Sequence, residues 1–272
     1  MKRLGQEGEH VIEINNVSKV FKQRKGEPYT VLDQVSFQVE RGQFVSLLGP
    51  SGCGKSTLLN LIAGFETSYE GSITVNGQSI TSPGPDRVVV FQEHGLFPWL
   101  TVLDNVAFGL KQRGLSKKDR YELAYEQIKA VHLSKFVERY PHELSGGMKQ
   151  RVAIARALVM DPEILLMDEP FAALDEQTRY ILQKDLEEIW QKTRKTILFI
   201  THNIREAILL SERVLVMSTQ PGRIRQEFSV QAARPHALED PLIHSLETRI
   251  LAVLTDELDK IVQGEIDHEY SI

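Results

Sequence analysis

Over residues 10 to 92 the apolar positions come in short runs of strand length. Val11-Ile12-Glu13-Ile14 is rich in β-branched residues, and Val35-Ser36-Phe37-Gln38-Val39 alternates apolar with polar, the period of a strand with one buried face. Gly71-Ser72-Ile73-Thr74-Val75 leads into Asn76-Gly77, which predicts a strand entering a tight hairpin turn. Phe44-Val45-Ser46-Leu47-Leu48 runs straight into glycines. The period then lengthens. Tyr121, Ala124, Ile128 and Val131 recur at three- and four-residue steps, with Lys117, Lys118, Glu122, Glu126 and Lys129 on the other face. That pattern predicts an amphipathic helix from Ser116 to Val131, with Ser116 and Asp119 as its capping pair.

Nearly continuous apolar runs return at Ile164-Leu165-Leu166-Met167 and Thr196-Ile197-Leu198-Phe199-Ile200, followed by Arg213-Val214-Leu215-Val216-Met217. The first two read as parallel strands buried on both faces. Helical stretches alternate with them, so the core is α/β. Pro221-Gly222 ends it. Leu242, Leu246, Ile250 and Leu254 predict one more amphipathic helix, for which packing on the core and a regulatory role both stand.

Composition narrows the class. The chain has 272 residues, 42% hydrophobic and 25% charged, enough for one or two globular domains. A net charge of −5 gives no electrostatic footprint for nucleic acid. A single cysteine excludes an internal disulfide framework and suits a reducing compartment. Apolar runs such as VVVF and ILLM fall far short of the roughly 18 residues that span a bilayer. MKRLGQEGEH is basic with no apolar core behind it, so it is not a secretory signal. The expectation is a cytoplasmic protein; any membrane work needs another chain to span.

Candidate chemistry begins at Gly49-Pro50-Ser51-Gly52-Cys53-Gly54-Lys55-Ser56, which matches G-x-x-x-x-G-K-[ST] between a strand and the apolar helix Leu58 to Ala63. Glycines there let backbone N–H groups turn inward onto phosphate oxygens, the helix adds its positive end, Lys55 reaches the β- and γ-phosphates, and Ser56 offers a hydroxyl to Mg²⁺. Cys53 reads either as a small buried hydrophobe or as a thiol that bound nucleotide would shield. Asp168 and Glu169 end a buried strand, and strand alternation aims them apart, one toward magnesium and one toward the attacking water. His202 ends a strand expected beside the phosphate-loop strand, so that both open on one crevice. Gln92 is a third polar group at a strand end. Ser145 can cap a helix behind Leu144, with Gly146 and Gly147 leaving its N–H groups open to an anion.

Taken together, from about Val11 to Arg225, these residues resemble the ATP-binding cassette ATPases. Carried over by motif, Gly49 to Ser56 looks like the Walker A loop. Leu165 to Pro170 looks like Walker B with its catalytic glutamate, and Gln92 like the glutamine loop. Leu144 to Met148 is similar to the signature sequence, Ala172-Ala173-Leu174-Asp175 to the D-loop, and His202 to the switch histidine. Phe21 stands where an aromatic stacks on adenine; Tyr29 is the weaker candidate. The resemblance implies an α/β P-loop NTPase core with an N-terminal antiparallel β subdomain and an inserted α-helical subdomain. The implied boundaries are 1–92, 93–158, 159–225 and a helical tail at 226–272. It implies ATP held by the loop through Thr57, by Phe21, by Ser145, Gly146 and Gly147 of a second copy, and by Asp175. It implies Mg²⁺ near Ser56, Gln92 and Asp168, with Glu169, His202, Gln92 and Lys55 as the catalytic set. Met148 departs from the usual signature glutamine.

With one Walker A and one signature, the chain is expected to work as a head-to-tail pair. Asp168 to Asp175 with Thr178-Arg179, Phe97-Pro98-Trp99-Leu100-Thr101-Val102, and Pro221-Gly222-Arg223-Ile224 look like bacterial importer subunits, most similar to the nitrate, sulfonate, taurine and bicarbonate subfamily. The implied partners are transmembrane permease subunits and, indirectly, an extracytoplasmic binding protein, with the chain on the cytoplasmic face of the inner membrane. Phe97 and Trp99 read either as the lining of a groove for a permease helix or as packing within the helical subdomain. A soluble cassette acting on DNA or ribosomes is the rival reading, but no coiled-coil insertion or basic arm is present.

Overall fold

The computed structural model describes residues 10–22, 27–237 and 239–269, with side chains as far as Asp259. Met1 to Glu9, read above as lacking a signal, lie outside the described residues. In chain order the elements begin with β1 (His10–Phe21), β2 (Tyr29–Glu40), β3 (Phe44–Leu48), α1 (Lys55–Ala63), β4 (Glu70–Val75), β5 (Gln78–Ser79) and β6 (Arg87–Val90). Then come α2 (Val102–Gln112), α3 (Lys117–Ala130), α4 (Gly146–Leu158), β7 (Ile164–Asp168) and α5 (Glu176–Thr193). β8 (Thr196–Thr201), α6 (Ile204–Leu210), β9 (Arg213–Met217), β10 (Ile224–Ser229) and α7 (Pro241–Glu269) complete the order. Among the described residues no helix is long and apolar enough to cross a membrane.

The chain divides into two compact units, Met1–Pro83 with Thr196–Ile272, and Gly84–Lys195. In the first, an antiparallel sheet runs β2-β1-β4-β5. Val35, Phe37 and Val39 are buried while Ser36 and Gln38 are exposed, which is the alternation read from the sequence. The β4–β5 hairpin turns on Asn76 and Gly77 at φ 51° and 71°, both left-handed, as a two-residue turn of this hand requires. The unit's other strands run β10-β9-β3-β8, with β3 parallel to both β8 and β9 and β10 antiparallel at the edge. Every residue of β3 and β8 is buried.

Helix α7 packs on this unit through Ile243, Leu246, Ile250 and Leu254, which join Val214, Val216 and Phe228. Leu242 is not part of that stripe; it is 61% exposed and Ile243 takes its place. A strict four-residue step drifts about 40° per turn on an α-helix, which carries Leu242 off the buried face. The expected boundary after residue 225 also falls inside β10, a strand not read from the sequence because Arg225, Gln226 and Glu227 are exposed edge positions.

The second unit contains the parallel pair β6–β7 and a helical cluster. Val106, Leu110, Ala124, Ile128, Val131, Val152 and Ala155 form its apolar centre. Ser116 caps α3 by accepting from Asp119 N, and Tyr121 bonds Asp104. The expected helical segment 93–158 thus shares its compact unit with β6, β7 and α5.

Candidate nucleotide site

In the first unit β3 delivers the chain into the loop Gly49 to Gly54 at the C-terminal end of the parallel strands. A side chain at Gly49 would stand 2.8 Å from Cys53 Sγ and 3.1 Å from Met217 O, so the bend can form only on bare backbone. Gly54 caps α1 at φ 95°, and a Cβ there would meet Leu32 Cδ2 at 2.6 Å. Gly52 has open space around it, and φ 80° is its only demand. Ser51, Gly52 and Ser56 face solvent, Pro50 and Thr57 are half-buried, and Cys53, Gly54 and Lys55 are buried. The Lys55 ammonium donates to Gly49 O and Pro50 O, each at 2.8 Å, and lies 3.7 Å from Cys53 Sγ. It is therefore fixed inside the curl of the loop. Burial pushes the Cys53 thiol up, and Lys55 opposes that only in part. With 1% exposure Cys53 is a packing residue of the loop.

Behind the loop sits Pro221-Gly222-Arg223, which the sequence marked as the end of the core and as importer-like. Gly222 N donates to Val31 O at 2.9 Å, and Asp33 N donates to Gly222 O at 3.0 Å. A Cβ at Gly222 would overlap Cys53 O. Arg223 pairs with Asp33. This turn thereby clamps the start of β2 against the phosphate loop, and Val31 and Leu32 in turn close on Gly54.

β8 lies parallel beside β3 with Thr201 opposite Leu48, so His202 leaves its strand at the same end as the loop. Its surroundings are fixed: Thr201 Oγ1 donates to buried Glu206 at 2.6 Å and accepts from Asn203 N at 2.9 Å, while Asn203 caps α6. His202 itself is exposed. Phe21 ends β1 at 41% exposure, opposite Tyr29 at the same exposure.

In the second unit β6 and β7 pair with Val90 opposite Met167. Gln92, exposed, and the half-buried Asp168 and Glu169 thus leave neighbouring strand ends on one side. Glu169 has φ 44°. A non-glycine residue in that region costs of order 1 kcal/mol or more, and such strain concentrates at functional positions. Asp175 caps α5 by accepting from Thr178 N at 2.9 Å, and that bond lowers its pKa. Arg179 donates to Phe171 O and Leu174 O, which holds the intervening turn; the sequence marked Thr178-Arg179 only by its likeness to importer subunits.

Ser145 caps α4, accepting from Met148 N. The two glycines differ. Gly146 is exposed, and a Cβ would make ordinary contact with Leu174 at 3.5 Å. Gly147 is buried, and a Cβ would clash with Thr178 Cγ2 of α5. Successive helical residues point about 100° apart, so only Gly146 has its Cβ side facing out, and Gly147 packs against α5. Met148 is half-buried against the helical cluster.

The stretch after Gln92 is tied to this helix. His94 Nδ1 lies 2.6 Å from Gln150 Oε1, and Arg156 donates to His94 O and Gly95 O. Buried Asn105 holds the next turn: its Nδ2 donates to Phe97 O, Leu100 O and Thr101 O, and its Oδ1 accepts from Phe97 N. A polar residue on the apolar face of α2 was the available signal. Phe97 packs on Phe108 with centroids 4.5 Å apart, whereas Trp99 is 71% exposed. Trp99 is not a core residue.

A glycine loop between a buried parallel strand and a helix, with lysine at the helix's first residue, defines a P-loop nucleotide-binding protein. The family described as ABC transporter matches residues 32–172. The nitrate import ATP-binding protein NrtD of Synechocystis sp. is 49% identical over 219 residues, covering 80% of this chain and 82% of that one. The taurine import ATP-binding protein TauB of Rhizobium johnstonii is 49% identical over 227 residues, covering 84% and 87%. The dimeric post-hydrolysis structure of the ATP-binding cassette MJ0796 bound to ADP and Pi superposes with TM-score 0.72 at 33% identity, covering 82% of this chain and 100% of that one. The chain belongs to the ABC transporter family, with the ABC ATPase fold, and it is an ATP-binding ATPase.

Proposed function

We propose that the chain is the ATP-hydrolysing subunit of an importer for small anions of the nitrate, sulfonate or taurine type, paired head to tail with a second copy beneath a separate permease. The observation that carries this reading is the likeness to nitrate and taurine import ATP-binding proteins, 49% identical over more than three quarters of every chain concerned. The exposed Trp99 on a turn fixed by Asn105 supports it, since a rigidly presented aromatic is what a partner helix would grip.

Lys55 and the loop N–H groups take the β- and γ-phosphates, and Phe21 takes the base. Ser56, Asp168 and Gln92 each offer an oxygen of the hard kind that Mg²⁺ takes. Bound there, Mg²⁺ would neutralise charge on the transferring phosphoryl group. Glu169 polarises the attacking water, His202 keeps it in line with the γ-phosphate, and Ser145 and Gly146 of the second copy present α4's N-terminal N–H groups to that phosphate. Closure of the pair on ATP and its reopening after hydrolysis drive the permease. The chain then works at the cytoplasmic face of the inner membrane, and an extracytoplasmic binding protein selects the solute.

The test is capture of the chain from its own cells in mild detergent, with the companions identified by mass spectrometry. A hydrophobic permease and an extracytoplasmic binding protein that binds nitrate, taurine or a sulfonate are expected. Recovery of soluble or ribosomal companions alone would overturn the importer reading and leave the ATPase assignment standing.

A further inference from the structure

The sequence places Lys19 between Val17 and Phe21 on the inward side of β1, where alternation calls for an apolar residue. Lys19 is 4% exposed. Its ammonium donates to Ser68 O at 2.5 Å, lies 3.2 Å from Glu66 Oε1, and sits 4.7 Å from the centroid of the Phe21 ring. Glu66 is itself fastened, accepting from Thr67 N at 3.0 Å and Ser68 N at 2.8 Å, and the Ser68 N–H and Lys19 hold its carboxyl below the usual range. Glu66 and Ser68 follow the C-terminus of α1, the helix that starts at the phosphate loop. A buried cation is costly without partners, and these two partners fix its position under the ring.

We propose that Lys19 is a positioning residue for the nucleobase: anchored by Glu66 and Ser68, it occupies one face of Phe21 and fixes the ring so that its other face receives the purine. The inference rests on the reading of Phe21 as the base platform and deepens it. A cation over one face of an aromatic ring is attracted by the ring's quadrupole, which restrains the ring before the base arrives and so removes an ordering cost of binding. The same clip links the platform to the far end of the phosphate-loop helix, so the base and phosphate ends of the nucleotide are held in one frame.

The experiment measures dissociation constants for ATP and for inorganic tripolyphosphate, with the melting temperature, in wild type, Lys19→Met, Lys19→Arg, Glu66→Gln and Phe21→Ala. A positioning role for the base predicts about five-fold weaker ATP binding for Lys19→Met, unchanged tripolyphosphate binding, and recovery in Lys19→Arg. Glu66→Gln should weaken ATP in the same direction by less, and it carries the test if Lys19→Met does not fold. Unchanged ATP affinity in both variants, while Phe21→Ala weakens it, would overturn the role of Lys19 and keep the platform. Unchanged ATP affinity in Phe21→Ala would remove the platform reading itself, and the proposal with it. Equal loss of ATP and tripolyphosphate would make Lys19 merely structural.

Discussion

Gly222 shows how a residue remote in sequence shapes the phosphate loop. Its missing side chain lets the Pro221–Arg223 turn lie directly on Cys53 O while its N–H and C=O bond Val31 and Asp33. Gly222→Ala must therefore push either this turn or the loop, and an overpacked contact of this kind costs about 1–3 kcal/mol. ATP affinity should fall about ten-fold while the melting temperature drops by a few degrees, measured by titration calorimetry and thermal unfolding. Arg223→Ala, which loses only a half-exposed ion pair, should change affinity little; if it matched Gly222→Ala, the charge and not the close approach would hold the loop. Cys53 gives a second residue-scale prediction. It is buried and its thiol is pushed up, so at neutral pH the reactive thiolate is scarcer than in a free cysteine. Maleimide should label it slowly with or without ATP and rapidly in denaturant. Fast native labelling that ATP blocks would make it a nucleotide-gated thiol instead.

Elements tell which parts of this fold are legible before the structure is seen. Strands β2, β3, β7 and β8 and helix α3 follow from period alone, because each buries one clean face or both. β10 escapes because an edge strand with a polar run has no period to read. The motif residues at strand ends are legible because their chemistry is unusual for their place. Their supports are not: Asn105, Arg156, Arg179 and Gly222 act through backbone carbonyls and amides, and a sequence does not show which backbone will come near. Gly147 is the intermediate case, marked by its motif and carrying a packing demand that the motif does not show. Its Cβ space is filled by Thr178 of α5. Gly147→Ala should destabilise by about 1–3 kcal/mol through that clash, and Thr178→Ser, which removes the offending methyl, should restore most of it. A double-mutant cycle from urea unfolding measures the coupling. Additive effects would mean that α4 and α5 yield without strain. Gly146→Ala, which meets only ordinary contact, should leave stability nearly unchanged and report on nucleotide chemistry alone.

At the scale of the whole molecule the question is how many chains make one working site. Lys55 lies in the first compact unit, Ser145 and Gly146 begin α4 in the second, and the chain has one copy of each motif. If the signature of one copy completes the ATP held by another, catalysis needs association. ATPase activity per chain should then rise with chain concentration and level off, whereas a self-contained chain would give a flat line. Ser145→Arg adds the second arm. It puts a long side chain at the mouth of α4 and leaves the residues of the phosphate loop unchanged, so ATP binding should persist while hydrolysis falls about a hundred-fold or more, the usual scale for losing one transition-state donor set. Sedimentation with ATP, in a Glu169→Gln background expected to slow turnover, should show pairs that vanish on adding Ser145→Arg. Flat concentration dependence with pairs that survive Ser145→Arg would refute the shared site and return both motifs to one chain.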